Sequence, residues 1–514
     1  MEASAGLTSK PAERPMATRW FHWYDAGASK AERKLLRKLD FYILLYACLT
    51  FFVKYLDQTN VTNAWLSGMQ KDLHLKANDL NWFTTYFSVG VIIGAPISTC
   101  MLTVVQPRYW LPFCTIAWSF FVLFMYKSEN ASTLFALRFC CGLFEAGAYP
   151  GCLYVIGSWY TKSEISRRTG IFLFSSVFGS MCSGYIQAGL LEHIDSDKYY
   201  PIPSLTMFPS HKHMDGVAGL AAWRWLFIFD FLLGVPVAIF GFFVCPHEPR
   251  GKRIWWMTEE EKQLSVDRMK RDGRDATSVW TWDVIRQIAR SWQFYGFIIG
   301  WGFVELTCGN NLMRWMGLWL KKEGWGQTQV QAIPTGIGAM QLVFIFTSAV
   351  AADSLNNRAL PFFVLCMFML FSYLVFLIGT ENNGLRMTAY FIGGAYGGLS
   401  PLLGGWINCS CGGNKQLRSF ITAMMISVGY AIEAPAQQVV FPTADAPNFR
   451  RTKGYNFGVG MVVATAVWCA VVIPLMARYW FFKDKQMCDN CDCDEPIAES
   501  TSYRANTKTA DASD

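Results

Sequence analysis

The feature that most restricts what this chain can become is its series of long apolar runs. There are about twelve, each of roughly 20 residues and so long enough to cross a hydrocarbon core of about 30 Å. Backbone polar groups in lipid must be satisfied internally, so only helices or closed barrels span it, and continuous runs of this length specify helices. The first six begin near Phe41, Asn81, Tyr109, Ser132, Thr169 and Trp223, and the second six near Ser291, Gln331, Leu360, Arg386, Ser419 and Asn456. The expected architecture is all-α, with twelve transmembrane helices in two six-helix halves. Its parts are an N-terminal tail over 1–40, a first half over 41–245, a central loop over 246–290, a second half over 291–482 and a C-terminal tail over 483–514, expected to be disordered. Two such halves around a polar midplane are the build of carriers that work by alternating access.

Composition agrees, because charged residues make up only 16% of the chain against roughly 25% in soluble domains. The net charge of +7 does not argue for nucleic acid, since the basic residues lie mostly between apolar runs, where they orient a protein in a membrane. Most fall in the tails and in the loops on the same side, which predicts both termini and the central loop in the cytoplasm. Within that loop Thr258 and Glu261 form a capping-box pattern opening a solvated or membrane-surface helix. The 16 cysteines are scattered, many within apolar runs, and read as small core residues. Cys488, Cys491 and Cys493 cluster in the C-terminal tail without a fourth ligand nearby, and Asn130 opens a glycosylation pattern too close to the membrane to favour modification. No secretory signal, phosphate loop, nucleophile elbow or HExxH pattern is present, so the expectation is a protein that is not an enzyme and carries no cofactor or metal.

Polar groups inside the runs carry the functional argument. Arg138 and Glu145 are seven residues apart in LRFCCGLFEAGAYPG, about two helical turns, so both point the same way. An unpaired charge at mid-membrane costs several kcal/mol, so this face either lines a polar cavity or pairs internally. A guanidinium suits a planar carboxylate, and a carboxyl in a low-dielectric site suits a proton. Gly142, Ala146, Gly147 and Ala148 permit close helix approach, and Pro150 loosens the helix just beyond. The first run ends in KYLDQTNVTNAW, bringing Lys54, Asp57, Gln58, Asn60 and Asn63. Asp57 lies roughly 24 Å along from Phe41, at a depth compatible with contact to Arg138, or else near the helix end as a cap. In the seventh run Glu305 is at mid-depth with Asn310 and Asn311 beyond it, while Arg314 either snorkels to the headgroups or gates. Glu433, beside Pro435 in the eleventh run, has no partner evident in the sequence. Tyr390–Trp406 overlays Arg138–Gly151 faintly, placing Tyr390 on Arg138 and Gly397 on Glu145, so any charge chemistry is concentrated in the first half.

Together YLDQTNVTNAW, PRYWLP, LRFCCGLFEAGAYPG, GSWYTKSEISRRTGIF, AAWRWLFIFDF and FPTADAPNFRRTKGY resemble the fungal anion:cation symporter branch of the major facilitator superfamily, which includes allantoate, pantothenate and biotin permeases. The resemblance spans about residues 40–480. It implies a proton-coupled carrier of carboxylate-bearing solutes, with Asp57 and Glu145 in proton coupling and Arg138 on the substrate carboxylate. The chain departs from the common YLDR pattern at Gln58, which removes one cation from the site, and the connection Val104–Tyr109 lacks the usual acidic and glycine residues. Gln58, Asn60, Glu305 and Asn310 join Arg138 as expected substrate contacts. The expected partners are a small carboxylate, protons and the bilayer, for a monomer in the plasma membrane that imports a vitamin or other organic anion. The alternative direction is efflux of an acidic fungal metabolite, and a more distant alternative is a transporter-like nutrient receptor.

Overall fold

A computed structural model of the chain describes residue 24 and residues 29–480, apart from 192–218, 273–281, 412–414, 450–453 and the single positions 248, 250, 252, 356, 380 and 447. The tail cysteine cluster and the tail proposed as disordered lie outside the described residues. The rest is a helical bundle of twelve spans. The first six are Lys30–Asp72, Asp79–Val104, Pro107–Lys127, Ala131–Trp159, Lys162–Leu191 and Ala222–Val244. After the loop helix Glu259–Arg271 and the short helix Trp282–Arg290 come span 7 (Trp292–Leu306 and Leu312–Lys322), span 8 (Gln327–Ala332 and Thr335–Ser354) and span 9 (Ala359–Ile378). Span 10 (Asn383–Gly393 and Tyr396–Ser410), span 11 (Lys415–Val440) and span 12 (Gly454–Trp480) complete the bundle.

Nine helices among the described residues are long and apolar enough to cross a membrane by that measure alone. The other three spans carry interruptions or polar residues of their own. Span 7 is divided at Cys308, whose φ of 51° is left-handed, and span 10 at Gly394–Ala395. Span 11 carries Glu433, Gln437 and Gln438 in its apolar stretch. Helix interruptions at membrane depth are tolerated where the freed backbone is buried in protein or lines a polar cavity.

Span 4 is interrupted after Glu145, and the sequence gives the cause. Pro150 has no N–H to donate, and its ring crowds the carbonyl four residues earlier, at Ala146. Spans 2 and 4 then meet at backbone contact, because a Cβ added to Gly142 would lie 2.1 Å from the Phe87 carbonyl oxygen. The two halves pack through spans 2 and 11 and through spans 5 and 8.

At one end of the bundle Arg314 donates to Asn81, Thr84 and Thr443, and Asn81 also donates to the backbone of Gln437 and Phe441, so spans 2, 7 and 11 are tied together. Arg314 is 7% exposed and bonded across the halves, so it does not snorkel to the headgroups. The opposite end is clasped by ion pairs. Arg168 of span 5 grips Asp40 at 2.7 Å, Arg268 of the loop helix grips Glu164 at 2.6 Å, and Lys38 reaches Glu261 at 2.8 Å. The capping box expected at Thr258 is formed with Glu261. Partial burial pushes the Glu261 carboxyl up, but hydrogen bonds from Lys38 and the Thr258 backbone outweigh it and hold the group below the ordinary range. Asn130 caps the helix beginning at Ala131, with its side-chain oxygen accepting from Thr133.

Candidate functional site in the first half

Span 1 presents one polar face to span 4 and another to spans 5 and 6. Lys54 and Gln58 are four residues apart on Leu45–Ala64 and so share the first face. Gln58 donates to Glu145 Oε1 at 2.6 Å. Glu145 is fully buried and its Oε2 has no partner. Lys54 is 6% exposed, stands 5.7 and 5.8 Å from the ring centroids of Phe51 and Tyr55, and lies within electrostatic reach of Glu145. Among the described residues it makes no ion pair within 4 Å.

Arg138 is 5% exposed, with its guanidinium over the Phe87 ring at 4.4 Å. Its Nε has no partner, and among the described residues no carboxylate lies within 4 Å. The expected contact between Arg138 and Asp57 is therefore not made, nor is a structural pair between Arg138 and Glu145. Asp57 turns instead to Asp230 of span 6, with the two carboxyls in hydrogen-bond contact. Like charges at contact repel strongly in a buried site, so the pair is suited to share a proton.

Asn60, expected at the substrate, belongs to the other face. It donates to Asp230 and accepts from Ser183, which in turn receives a 2.6 Å bond from Asn63. The reason is helical geometry, since Asn60 is two residues from Gln58 and points away from it. Asp230 was missed in the sequence, and Lys54 was named there without a role. Asp230 had a usable signal as the sole carboxylate in the apolar helix Ala222–Val244.

In the second half Glu305, 9% exposed, receives the Tyr396 hydroxyl at 3.4 Å and lies in hydrogen-bond contact with Glu433 of span 11. Asn311 donates to Glu433 at 3.2 Å and Gln437 donates at 2.6 Å, so Glu433 does have partners. Asn310 falls in the short turn Gly309–Asn311, and its side chain lies outside the described residues. Tyr55 of span 1 lies within electrostatic reach of Glu305 and Glu433 of the second half and of Glu145 of the first. The center of the bundle thus joins two cations that no carboxylate contacts, one buried carboxyl with an unpartnered oxygen, and two carboxyl pairs. Such an arrangement favours an anion entering beside Arg138 and Lys54.

Comparison with known proteins gives the family. The chain matches the Major Facilitator Superfamily over residues 47–434. It is 41% identical to "MFS transporter PfmaC" of Pestalotiopsis fici, over 93% of this chain and 87% of that protein. It is 31% identical to "Pantothenate transporter liz1" of Schizosaccharomyces pombe, over 90% of this chain and 85% of that one. Among solved structures, a D-xylose–proton symporter superposes with a TM-score of 0.61 at 13% identity, covering 84% of this chain and 97% of the other, a likeness of fold.

Proposed function

This chain belongs to the major facilitator superfamily and is a multi-pass membrane transporter, not an enzyme, and from that premise we propose that it imports a small carboxylate-bearing solute together with protons. The observation that supports this reading is Arg138, a buried guanidinium that no carboxylate contacts. Leaving it so costs several kcal/mol, a cost that an incoming carboxylate relieves by bidentate hydrogen bonding. Lys54 supplies the second cation. It stands one turn before Gln58, on the same face, and offsets the arginine missing from the family pattern.

Glu145 then links anion to proton. While ionised it attracts Lys54 and holds Gln58, competing with substrate for the same positive field. Once protonated it leaves Lys54 and Arg138 to the carboxylate, so anion and proton load together. Asp57 and Asp230 form a second proton station in contact with span 5 through Asn60 and Ser183. Spans 1, 5 and 6 meet there, which couples its charge to helix packing. The bonds of Arg314 would close the outer end while the site is open to the cytoplasm, with both termini on the cytoplasmic side of the plasma membrane.

Growth rescue tests the reading. In yeast lacking its own pantothenate uptake, the chain should restore growth on limiting pantothenate or another vitamin carboxylate, and Arg138→Gln should not. Failure on every carboxylate supplied, with the protein at the cell surface, would overturn the substrate class.

A further inference from the structure

Span 7 and span 11 bring a second polar cluster to the same central region, and its chemistry is the inverse of the Arg138 site. Glu305 and Glu433 face one another across spans 7 and 11, two buried carboxyls in electrostatic contact. The donors nearby are already spent: Asn311 and Gln437 donate to Glu433, and Tyr396 donates to Glu305. Gln437 is 3% exposed, and while its Nε2 donates to Glu433 its buried Oε1 has no donor. A cluster serving only to join two helices has no reason to leave a buried amide oxygen unpaired, since such an atom costs about 1–3 kcal/mol. The helix interruption at Cys308 lies between Glu305 and Asn311, where discontinuous helices in carriers line the substrate cavity. Tyr55 connects this cluster to Glu145.

We propose that Glu305, Glu433 and the Gln437 oxygen form a second subsite that accepts hydrogen bonds from hydroxyl, amide N–H or ammonium groups on the end of the substrate opposite its carboxylate. The inference rests on the carboxylate reading above and narrows it. The substrate is a bifunctional molecule, an anion at one end and donor-rich at the other, and simple alkyl carboxylates are rejected because they leave the Gln437 oxygen without a donor.

The test is binding to the purified full-length protein in nanodiscs, using pantothenate, which carries two hydroxyls and an amide, and octanoate, which carries no donor beyond its carboxyl. Wild type should prefer pantothenate by about tenfold or more, the factor that one hydrogen bond to a charged acceptor carries. Glu433→Gln should bring the two ligands to within about threefold by weakening pantothenate alone, and Gln437→Met, which touches no charge, should narrow the ratio in the same sense. Equal binding of both ligands by wild type, or a ratio unchanged in both variants, would overturn the subsite while leaving the carboxylate reading intact. No binding of either ligand to wild type would remove the carboxylate reading and the subsite with it.

Discussion

Two buried arginines in this bundle should respond in opposite ways to the same substitution, and the difference isolates function from packing. Arg168 is saturated: its Nε and Nη2 hold Asp40 at 2.7 and 3.1 Å, Nη1 reaches the Glu164 carbonyl, and Tyr160 lies under the guanidinium at 4.5 Å. Arg138 has an aromatic ring under it and no carboxylate. Breaking a buried ion pair costs about 3–5 kcal/mol because the partner is left uncompensated. Removing a charge that no carboxylate contacts breaks no such pair. Arg168→Gln should therefore lower the thermal midpoint of the ligand-free protein, and Arg138→Gln should hold or raise it.

Ligand reverses the order. At an effective dielectric of about 20 a carboxylate about 4 Å from the Arg138 guanidinium gains about 4 kcal/mol, and after desolvation about 100-fold in affinity remains at stake. A carboxylate present at about 100 times the wild-type Kd stabilises wild type by about 2.7 kcal/mol. At the same concentration a 100-fold weaker Arg138→Gln retains only about 0.4 kcal/mol. The assay is thermal unfolding of the purified full chain in detergent, with and without pantothenate. An Arg138→Gln protein that is destabilised as much as Arg168→Gln, yet keeps its full response to ligand, would refute the assignment of Arg138 to substrate.

Other outcomes follow from the packing and from the two ends of the bundle. Gly142→Ala places a Cβ against the Phe87 carbonyl, a backbone atom that yields only if span 2 moves, and should cost about 1–3 kcal/mol in thermal unfolding. Arg314→Gln removes bonds to Asn81, Thr84 and Thr443, so Cys308, buried next to it, should react faster with a water-soluble maleimide, as read by peptide mapping. Glu261→Gln should lower stability by at most about 1 kcal/mol at pH 7. Because the folded carboxyl titrates below its ordinary value of 4.5, the contribution is complete above that pH. The gap between wild type and variant in thermal melts should begin to shrink near it and vanish at lower pH.

The spans were legible because a bilayer imposes one length and one polarity on each, and hydropathy reads both directly. Span 7 shows where that reading blurs, since nothing in GFVELTCGNNLMRW announces that Cys308 takes a left-handed backbone and splits the helix. Arg138 and Glu145 stood out because charge in an apolar run is expensive. Their partners were harder to read. Asp57 sat at a depth that suited Arg138, but helix rotation turns it toward span 6, and a single sequence carries no information about rotation between spans distant in the chain. Lys54 was visible in KYLDQ, yet only the fold brings it within electrostatic reach of Glu145. Glu433 likewise acquires Glu305, Asn311 and Gln437 as neighbours only when spans 7 and 11 come together.

The most direct test of the central claim, that Arg138 and Lys54 take the carboxylate while Glu145 takes the proton, is uptake of labelled pantothenate into proteoliposomes with an imposed inward proton gradient. The account predicts accumulation above equilibrium that collapses with a protonophore. It also predicts that Glu145→Gln still exchanges internal for external ligand but no longer accumulates it. Uptake by wild type that ignores the gradient, or full accumulation by Glu145→Gln, would contradict it.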